Sequence, residues 1–194
     1  VAKPDYDDAY QRATLHISAD VRNLSAKAAK GNTIDYALYA NELYSDKNAL
    51  VEGVQASVNV AELAKGAECT ASVCLDAADK VKPWNAEKPY RYTLVGQLKD
   101  KKGQVVETLS TIVGFREIEV KDTPAEKDEF RLAGRYYYLN GMPIKMKGVN
   151  RHENNLATGH TVSREQMEKE VFLMKRGNIN HVRNSHYPDA PYWY

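Results

Sequence analysis

The sequence lacks an excess of charge of either sign. Lys and Arg total 27 and Asp and Glu total 26 among 194 residues, so the formal net charge is +1. A near-neutral chain has no electrostatic footprint for nucleic acid or an anionic membrane surface. Long apolar runs are also lacking, since none approaches the roughly 18 residues of a membrane-spanning helix. We therefore expect neither nucleic acid nor a membrane as a partner.

Cysteine is nearly absent, with only Cys69 and Cys74. Two cysteines cannot build a disulfide framework, and these lack the CxxC spacing of redox and zinc sites. They lie five residues apart in an alternating run, so they face opposite sides of a strand and we expect no disulfide between them. The first twenty residues have no apolar core, so we expect no signal peptide there. The compartment stays open between cytoplasm and periplasm.

The residues from about 14 to 120 show a period of two. Apolar and polar side chains alternate, and turn signals interrupt the alternation every ten to twenty residues, in the runs 15–21, 34–40, 54–60, 90–98 and 105–113. Alternation lets each strand bury one face and expose the other. Several short strands without a helical period between them predict an antiparallel β-sandwich.

Three segments carry turn or loop signals. Residues 99–103, Lys-Asp-Lys-Lys-Gly, predict an exposed hairpin tip rather than a binding patch. Residues 121–129 are polar and contain a proline, which predicts a loop or linker. The dipeptide Asn140-Gly141 between two apolar runs is a strong signal for a two-residue hairpin.

Beyond this hairpin the pattern predicts a strand, a helix and a second strand. Ser163 with Gln166 three residues later has capping-box spacing, and Gly177 stands where a left-handed C-terminal cap would lie. Apolar residues recur between them at helical spacing, at Met167, Val171 and Met174. The apolar runs 144–149 and 179–183 flank this helix, so the segment predicts a βαβ unit with parallel strands and a right-handed crossover.

Each predicted parallel strand ends in a polar cluster. Residues 150–153 are Asn-Arg-His-Glu, and residues 184–188 are Asn-Ser-His-Tyr-Pro. Parallel strands bring both clusters to the carboxyl edge of the sheet, where α/β barrels and open α/β sheets bind ligands. Two imidazoles, at His152 and His186, with the guanidinium of Arg183 suit a hydroxyl-rich neutral ligand. The neighbouring aromatic residues offer flat faces for a sugar ring, at Tyr187, Tyr192, Trp193 and Tyr194.

Zinc is an alternative chemistry for four histidines within 35 residues, at positions 152, 160, 181 and 186. Their spacings match no usual closed zinc site, and no cysteine joins them, which disfavours this alternative. We expect His181, in mid-strand, to pack or form a hydrogen bond, and His160 to be exposed. Glu153 is expected to be a salt-bridging or supporting carboxylate.

These motifs resemble glycoside hydrolase family two. Residues 147–153 (Lys-Gly-Val-Asn-Arg-His-Glu) and 180–188 (Asn-His-Val-Arg-Asn-Ser-His-Tyr-Pro) resemble the start of the family's catalytic barrel. Residues 83–93 (Pro-Trp-Asn-Ala-Glu-Lys-Pro-Tyr-Arg-Tyr-Thr) look like the motif of its sandwich domain, with Arg91 where the family frequently has leucine. Within the family, Arg151 to Glu153 and residues 157–160 look most like the β-galactosidase branch.

The resemblance implies a mainly β fold. An immunoglobulin-like sandwich would occupy residues 1–120. A hairpin and the first βαβ unit of a truncated TIM barrel would occupy residues 121–194. It also implies a β-galactoside substrate and a homo-oligomer. The second barrel strand would keep an unpaired edge, which leads us to expect dimers, swapped segments or a disordered C-terminal stretch.

The resemblance also implies a retaining mechanism with two carboxylates about 5 Å apart. Both catalytic glutamates would lie beyond Tyr194, so the segment is expected to be inactive by itself. His152 and His186 would bind substrate and stabilise the transition state, and Arg183 would bind substrate and orient nearby carboxylates. No cofactor or metal is expected in this segment, because the magnesium and sodium ligands of the family would lie outside it.

Other functions stay open at this point. The segment could belong to a related β-glucuronidase or β-mannosidase, with departures at residues 154–156 from the galactosidase pattern. Alternatively, the sandwich is a carbohydrate-binding module or a purely structural domain. Trp84 bears on the module hypothesis, and we expect it to be a sandwich-edge core residue rather than a carbohydrate platform.

Overall fold

The computed structural model describes residues 1–128 and 131–194. The chain divides into two compact units, Val1–Pro143 and Ile144–Tyr194. The predicted division into domains of residues 1–120 and 121–194 stays a prediction. Among the described residues, no helix has both the length and the apolar character that a membrane crossing requires.

Seven strands of the first unit form two sheets. In chain order they are β1 (Ala2–Tyr6), β2 (Ala13–Arg22), β3 (Thr33–Asn41), β4 (Asn48–Asn59), β5 (Glu68–Ala78), β6 (Tyr92–Lys99) and β7 (Val105–Val113). One sheet has the order β1-β2-β5 and the other β4-β3-β6-β7. The pairings β1–β2, β2–β5, β3–β4, β3–β6 and β6–β7 are antiparallel. In constant-type immunoglobulin domains the fourth strand joins the sheet of the fifth, whereas here β4 pairs with β3.

The two sheets share one apolar core. Alternate residues of β2, β3 and β5 are buried, whereas in β7 only Val113 is buried. One cluster of buried side chains draws on both sheets. The most deeply buried large side chains are fully enclosed, at Leu15, Leu38, Val54, Leu75 and Phe115. The predicted immunoglobulin-like sandwich is therefore confirmed. The predicted hairpin tip at residues 99–103 is also confirmed, because it joins β6 to β7.

Strand β1 was not among the predicted alternating runs. It contains Pro4, which argues against a central strand, but β1 lies at the edge of its sheet and pairs only with β2. An edge strand tolerates proline because the missing amide faces away from the ladder.

The two cysteines lie on opposite faces of β5, as their spacing predicts. Cys69 packs against the sandwich core, and Cys74 is exposed on the outer face. Both are free thiols.

Tyr92 anchors the start of β6. Its side chain is buried, its ring meets Phe115 edge-on at 5.3 Å, and its hydroxyl accepts a 2.6 Å hydrogen bond from the backbone N–H of Lys82. This is the geometry of the tyrosine corner in immunoglobulin-like domains. Burial raises the pKa of Tyr92, with the N–H of Lys82 acting in the opposite direction.

A third sheet follows the sandwich, and all its residues except Ile144 lie in the first unit. Its strands are β8 (Ile118–Thr123), β9 (Gly134–Leu139) and β10 (Met142–Ile144), in the order β10-β9-β8. Asn140 and Gly141 have φ of 50° and 75°. Positive φ at both central residues is the requirement of a type I′ turn, so the predicted hairpin is confirmed.

The loop predicted over residues 121–129 is partly wrong. Its first three residues continue β8, and Ala125–Lys127 form a short 3₁₀ helix. The strand extends because polar side chains pair across it, with Arg135 of β9 contacting Asp122 at 2.9 Å. Glu129, the last residue of the predicted loop, lies outside the described residues.

The second unit is a βαβ unit, as predicted. It consists of β11 (Gly148–Arg151), α1 (Arg164–Arg176) and β12 (His181–Asn184), followed by a 3₁₀ helix at Pro191–Trp193. The strands are parallel, with Gly148 opposite His181 and Arg151 opposite Asn184. They form a two-stranded sheet.

The predicted strand bounds, 144–149 and 179–183, lie too early in the chain. The side-chain amide of Asn180 accepts a 2.8 Å hydrogen bond from Lys147 N–H and donates a 3.0 Å hydrogen bond to Lys145 C=O. These side-chain bonds add to the 3.1 Å backbone hydrogen bond from Asn180 N–H to Lys147 O before β11 begins. Ile144 belongs to β10 instead.

The helix begins as predicted and ends differently. Ser163 Oγ accepts a hydrogen bond from the N–H of Gln166 at 3.3 Å. Gly177 has a φ of −78°, so a left-handed cap at Gly177 is wrong, and Asn178 adopts a φ of 55° instead. The N–H of Asn178 bonds to Lys175 O and that of Ile179 to Met174 O, which is the Schellman pattern. Asparagine tolerates this conformation better than most residues do.

We predict that Tyr92→Phe lowers the free energy of unfolding of the sandwich by about 1–3 kcal/mol, because the N–H of Lys82 loses its acceptor while the ring packing is kept. Urea unfolding of the chain measures this. Tyr44→Phe is the matched control, because Tyr44 is 83% exposed, and it should change stability by less than about 0.5 kcal/mol. Equal effects of the two substitutions would contradict the tyrosine-corner assignment.

Candidate functional site

The two histidines singled out in the sequence lie together at the carboxyl edge of the parallel pair. His152 directly follows β11, and His186 is the second residue after β12. Their ring centroids are 5.7 Å apart and the rings are nearly perpendicular, at 81°. Both side chains are exposed. The prediction that the parallel strands bring them to one edge is confirmed, and their roles stay a prediction.

Arg183 determines which ring nitrogen of neutral His186 carries the proton. Its Nη2 lies 3.2 Å from His186 Nδ1, and its Nη1 donates to Ser185 Oγ at 3.0 Å. A guanidinium only donates, so Nδ1 must accept and the neutral imidazole carries its proton on Nε2. His186 therefore presents an Nε2–H donor on the side away from Arg183.

The backbone between β12 and His186 is tied to β11. Ser185 is buried, with 2% exposure, and its N–H donates a 2.8 Å hydrogen bond to the carbonyl of Arg151. The Ser185–His186 peptide is cis. This bond extends the pairing of the two strands to the residue that immediately precedes His186.

A buried ion cluster lies beside the histidines in the chain. The side chain of Arg151 is 3% exposed, with Nε 2.7 Å from Glu170 Oε2 and Nη1 2.8 Å from Asp189 Oδ2. The ring of Trp193 stacks on the guanidinium at 3.8 Å. Burial lowers the pKa of Arg151, but Glu170 and Asp189 raise it by more, so the net shift is upward and the cation is maintained.

Glu153 and His160 support the loop that follows β11. The carboxylate of Glu153 accepts from the backbone N–H of Ala190, at 3.1 Å for the nearer oxygen, and its carbonyl accepts from His160 Nδ1 at 2.7 Å. Glu153 is thus a supporting carboxylate, as expected. His160 is exposed, as expected, but it also meets the ring of Tyr187 edge-on at 5.9 Å, which places it at the rim of the site.

Three of the four aromatic residues proposed as sugar platforms make other contacts. Trp193 covers Arg151, Tyr192 donates to Glu168 and lies under Arg164, and the Tyr194 hydroxyl accepts from Asp189 N–H. Tyr187, which is 38% exposed, meets His160 at one edge. Of these four, we therefore retain Tyr187 as the candidate for contact with a sugar ring.

Sequence reasoning missed Asp189 and Glu170 as parts of this site. A signal for Glu170 was present, because it occupies the same helical face as Met167 and Met174, where an acidic residue needs a partner. Asp189 lies outside regular structure and gave no comparable signal.

His181 lies against Gly148, where an added Cβ would lie 2.9 Å from the His181 ring, so His181 packs as expected. Across residues 1–128 and 131–194, no group of three or more His, Cys, Asp or Glu side chains could hold a metal ion.

Trp84 is engaged within the first unit. Arg116 lies over its ring at 4.5 Å, and a Cβ on Gly114 would lie 3.1 Å from the indole. The residue is half-buried. A covered indole does not provide a carbohydrate platform, in agreement with the expectation for this residue.

Comparison with known proteins relates both units to one enzyme family. The family model described as glycosyl hydrolases family 2 matches residues 1–116, and the model of the family's TIM barrel domain matches residues 130–194. A β-galactosidase of Streptococcus thermophilus is 37% identical over 192 residues, which is 99% of this chain and 16% of that protein. A β-galactosidase of Priestia megaterium is 35% identical over 189 residues, with 97% and 16% coverage. The chain thus spans about one sixth of the length of these relatives.

Solved structures show the same fold at lower identity. A β-glucuronidase of Bacteroides uniformis, bound covalently to a cyclophellitol-6-carboxylate aziridine, has a TM-score of 0.77 and 21% identity over 99% of this chain and 20% of its own. A glycosyl hydrolase family 2 member from Bacteroides cellulosilyticus has a TM-score of 0.72 and 18% identity, with 99% and 23% coverage. These similarities concern the fold alone.

We predict that neutral His186 carries its proton on Nε2, because Arg183 can only donate to Nδ1. Nitrogen-15 NMR of the imidazoles at about pH 8.5, where an ordinary histidine is neutral, measures the tautomer. Arg183→Met should produce a mixture of tautomers, while His160 should keep its proton on Nδ1 because that atom donates to a carbonyl. A proton on Nδ1 of His186 in the unsubstituted chain would contradict the geometry.

Proposed function

Because this chain belongs to the glycosyl hydrolases family 2, we propose that it is a segment of a β-galactosidase that hydrolyses terminal non-reducing β-D-galactose residues. The observation that carries the proposal is the convergence of His152 and His186 at one strand edge. It occurs in a chain that is 37% identical to a β-galactosidase over 99% of the chain's own length. The β-galactoside is the proposed partner.

The two histidines are assigned to the hydroxyl groups of the sugar. His186 offers an Nε2–H donor, and His152 lies 5.7 Å away by ring centroid, a spacing that suits two neighbouring contacts on one sugar ring. Fixed donors cost no reorganisation during the reaction and act most strongly where water is excluded. Hydrogen bonds that tighten in the transition state raise the rate rather than merely the affinity.

Arg183 is assigned a dual task. Two of its nitrogens hold Ser185 and His186 in place, which supports a role in positioning the substrate contact. Its side chain is exposed on the strand, so its remaining donors are available to a carboxylate.

The chemical step is assigned to residues beyond this chain. We propose a retaining mechanism, in which one carboxylic acid protonates the leaving oxygen and a carboxylate attacks the anomeric carbon. Glu153 and Glu170 are both committed to structural contacts here, which supports placing the two catalytic glutamates elsewhere. The segment alone is therefore proposed to be inactive, and any magnesium or sodium ligands are placed outside it.

The alternatives differ in their support. The cited relatives above 30% identity are both β-galactosidases, whereas the β-glucuronidase similarity lies at 21% identity and carries the fold alone. A carbohydrate-binding role of the sandwich has no support at Trp84, whose ring is covered by Arg116. A structural role of the sandwich is compatible with the proposal.

The substrate assignment is tested with the full-length enzyme. We expect kcat/KM for a chromogenic β-galactoside to exceed that for the matched β-glucuronide and β-mannoside by at least about 100-fold, because sites that hydrogen-bond particular hydroxyls discriminate strongly against analogues that cannot make those bonds. The 194-residue chain, assayed in parallel, is expected to show no turnover. Preference for a glucuronide or mannoside would overturn the substrate, and turnover that tracks the purified 194-residue chain would overturn its inactivity.

The site assignment is tested by His186→Ala in the same enzyme. Loss of a fixed donor should lower kcat/KM for the β-galactoside by about 100-fold, with thermal stability little changed because the side chain is exposed. His181→Ala is the matched control, since His181 is an exposed histidine at the opposite end of β12, the strand that precedes His186, and it should change kcat/KM less than about twofold. Equal rates for His186→Ala and the unsubstituted enzyme would refute the assignment.

A further inference from the structure

The cluster formed by Arg151, Glu170, Asp189 and Trp193, here called the buried clamp, joins four separate segments of the second unit. Arg151 ends β11, Glu170 lies on α1, Asp189 lies in the loop after β12, and Trp193 lies in the final 3₁₀ helix. All the charged contacts converge on one guanidinium, at 2.7 Å to Glu170 and 2.8 Å to Asp189.

The buried clamp is directly connected to the backbone of both histidines. Arg151 is the residue before His152, and Asp189 is three residues after His186. The carbonyl of Arg151 also accepts the N–H of Ser185, the residue before His186. A shift of the Arg151–Asp189 contact would therefore move both imidazoles relative to each other.

The composition of the buried clamp is poorly suited to stability alone. Two carboxylates face one cation, and the side chains of Arg151 and Asp189 are only 3% and 1% exposed. Their 2.8 Å contact lacks hydrogen-bond alignment. Arg151 Nη2 and Asp189 Oδ1 have no hydrogen-bond partner among the described residues. Burying such charges costs several kcal/mol per ion, and apolar residues of similar volume often stabilise as well or better.

We propose that Arg151 and Asp189 are positioning residues, which fix the distance between His152 and His186 for the transition state without touching the substrate. This inference rests on the proposed function of the two histidines. The ion pair explains why charged groups are kept here at a cost in stability, since its attraction holds the end of β11 to the loop after β12 at a distance of 2.8 Å.

The test is a double-mutant cycle in the full-length enzyme. Asp189→Asn keeps the shape of the side chain and removes its charge, and it should lower kcat/KM for the β-galactoside about 10- to 100-fold, mostly through kcat, because small misplacements of binding groups have effects of this size. In a His152→Ala/His186→Ala background the same substitution should lower kcat/KM less than about twofold, because no imidazoles remain to be positioned.

The matched control is Asp122→Asn, which breaks an exposed ion pair whose side chains are 69% and 78% exposed. It should leave kcat/KM within about twofold, as expected for a surface pair. If Asp189→Asn does not fold, Glu170→Gln takes its place, since Glu170 is 20% exposed. Glu170→Gln should show the same dependence on the background with a loss of about tenfold.

Each result has a distinct meaning. An equal loss in both backgrounds would assign a purely structural role to the buried clamp and overturn the inference, as would a folded Asp189→Asn enzyme with unchanged kcat/KM. A His186→Ala enzyme of unchanged activity would instead refute the proposed function, irrespective of Asp189.

Discussion

Parallel pairing of β11 with β12 is the constraint on which the candidate site depends. Residues Gly148 to Arg151 lie opposite residues His181 to Asn184, and the hydrogen bond from Ser185 to Arg151 continues the pairing. Because both strands run the same way, the residues that follow them must emerge at one edge. The convergence of His152 and His186 is therefore a consequence of strand direction and register, and a one-residue slip would move each side chain to the opposite face.

An ion pair and a hydrogen bond to the backbone hold the segments that follow the two strands. Glu153 binds the N–H of Ala190, and Arg151 binds Asp189, so two contacts of different chemistry join β11 and the loop that follows it to the loop after β12. Arg183 then fixes the tautomer of His186. The exposed imidazoles are thus attached to a backbone that these contacts restrain.

Much of this arrangement could be predicted from the sequence, because local signals agreed with the fold. Alternation predicted the sandwich, Asn140-Gly141 predicted the type I′ hairpin, and Ser163 predicted the start of α1. The strand bounds could not be predicted, because they depend on tertiary contacts between segments 33 to 35 residues apart, such as the side-chain hydrogen bonds of Asn180 to Lys147 and Lys145. The left-handed residue is Asn178 rather than the predicted Gly177, because the N–H groups of Asn178 and Ile179 complete a Schellman pattern. The buried clamp depends on tertiary contacts that no local pattern specifies.

The most direct measurement of the central claim is a crystal structure of the full-length enzyme with a bound galactose-derived ligand. The account predicts that His186 Nε2 and a ring nitrogen of His152 each lie within about 3.2 Å of a sugar hydroxyl, with Nε2 as donor. A well-ordered sugar in the active site whose hydroxyls lie beyond about 3.5 Å from both imidazoles would contradict it.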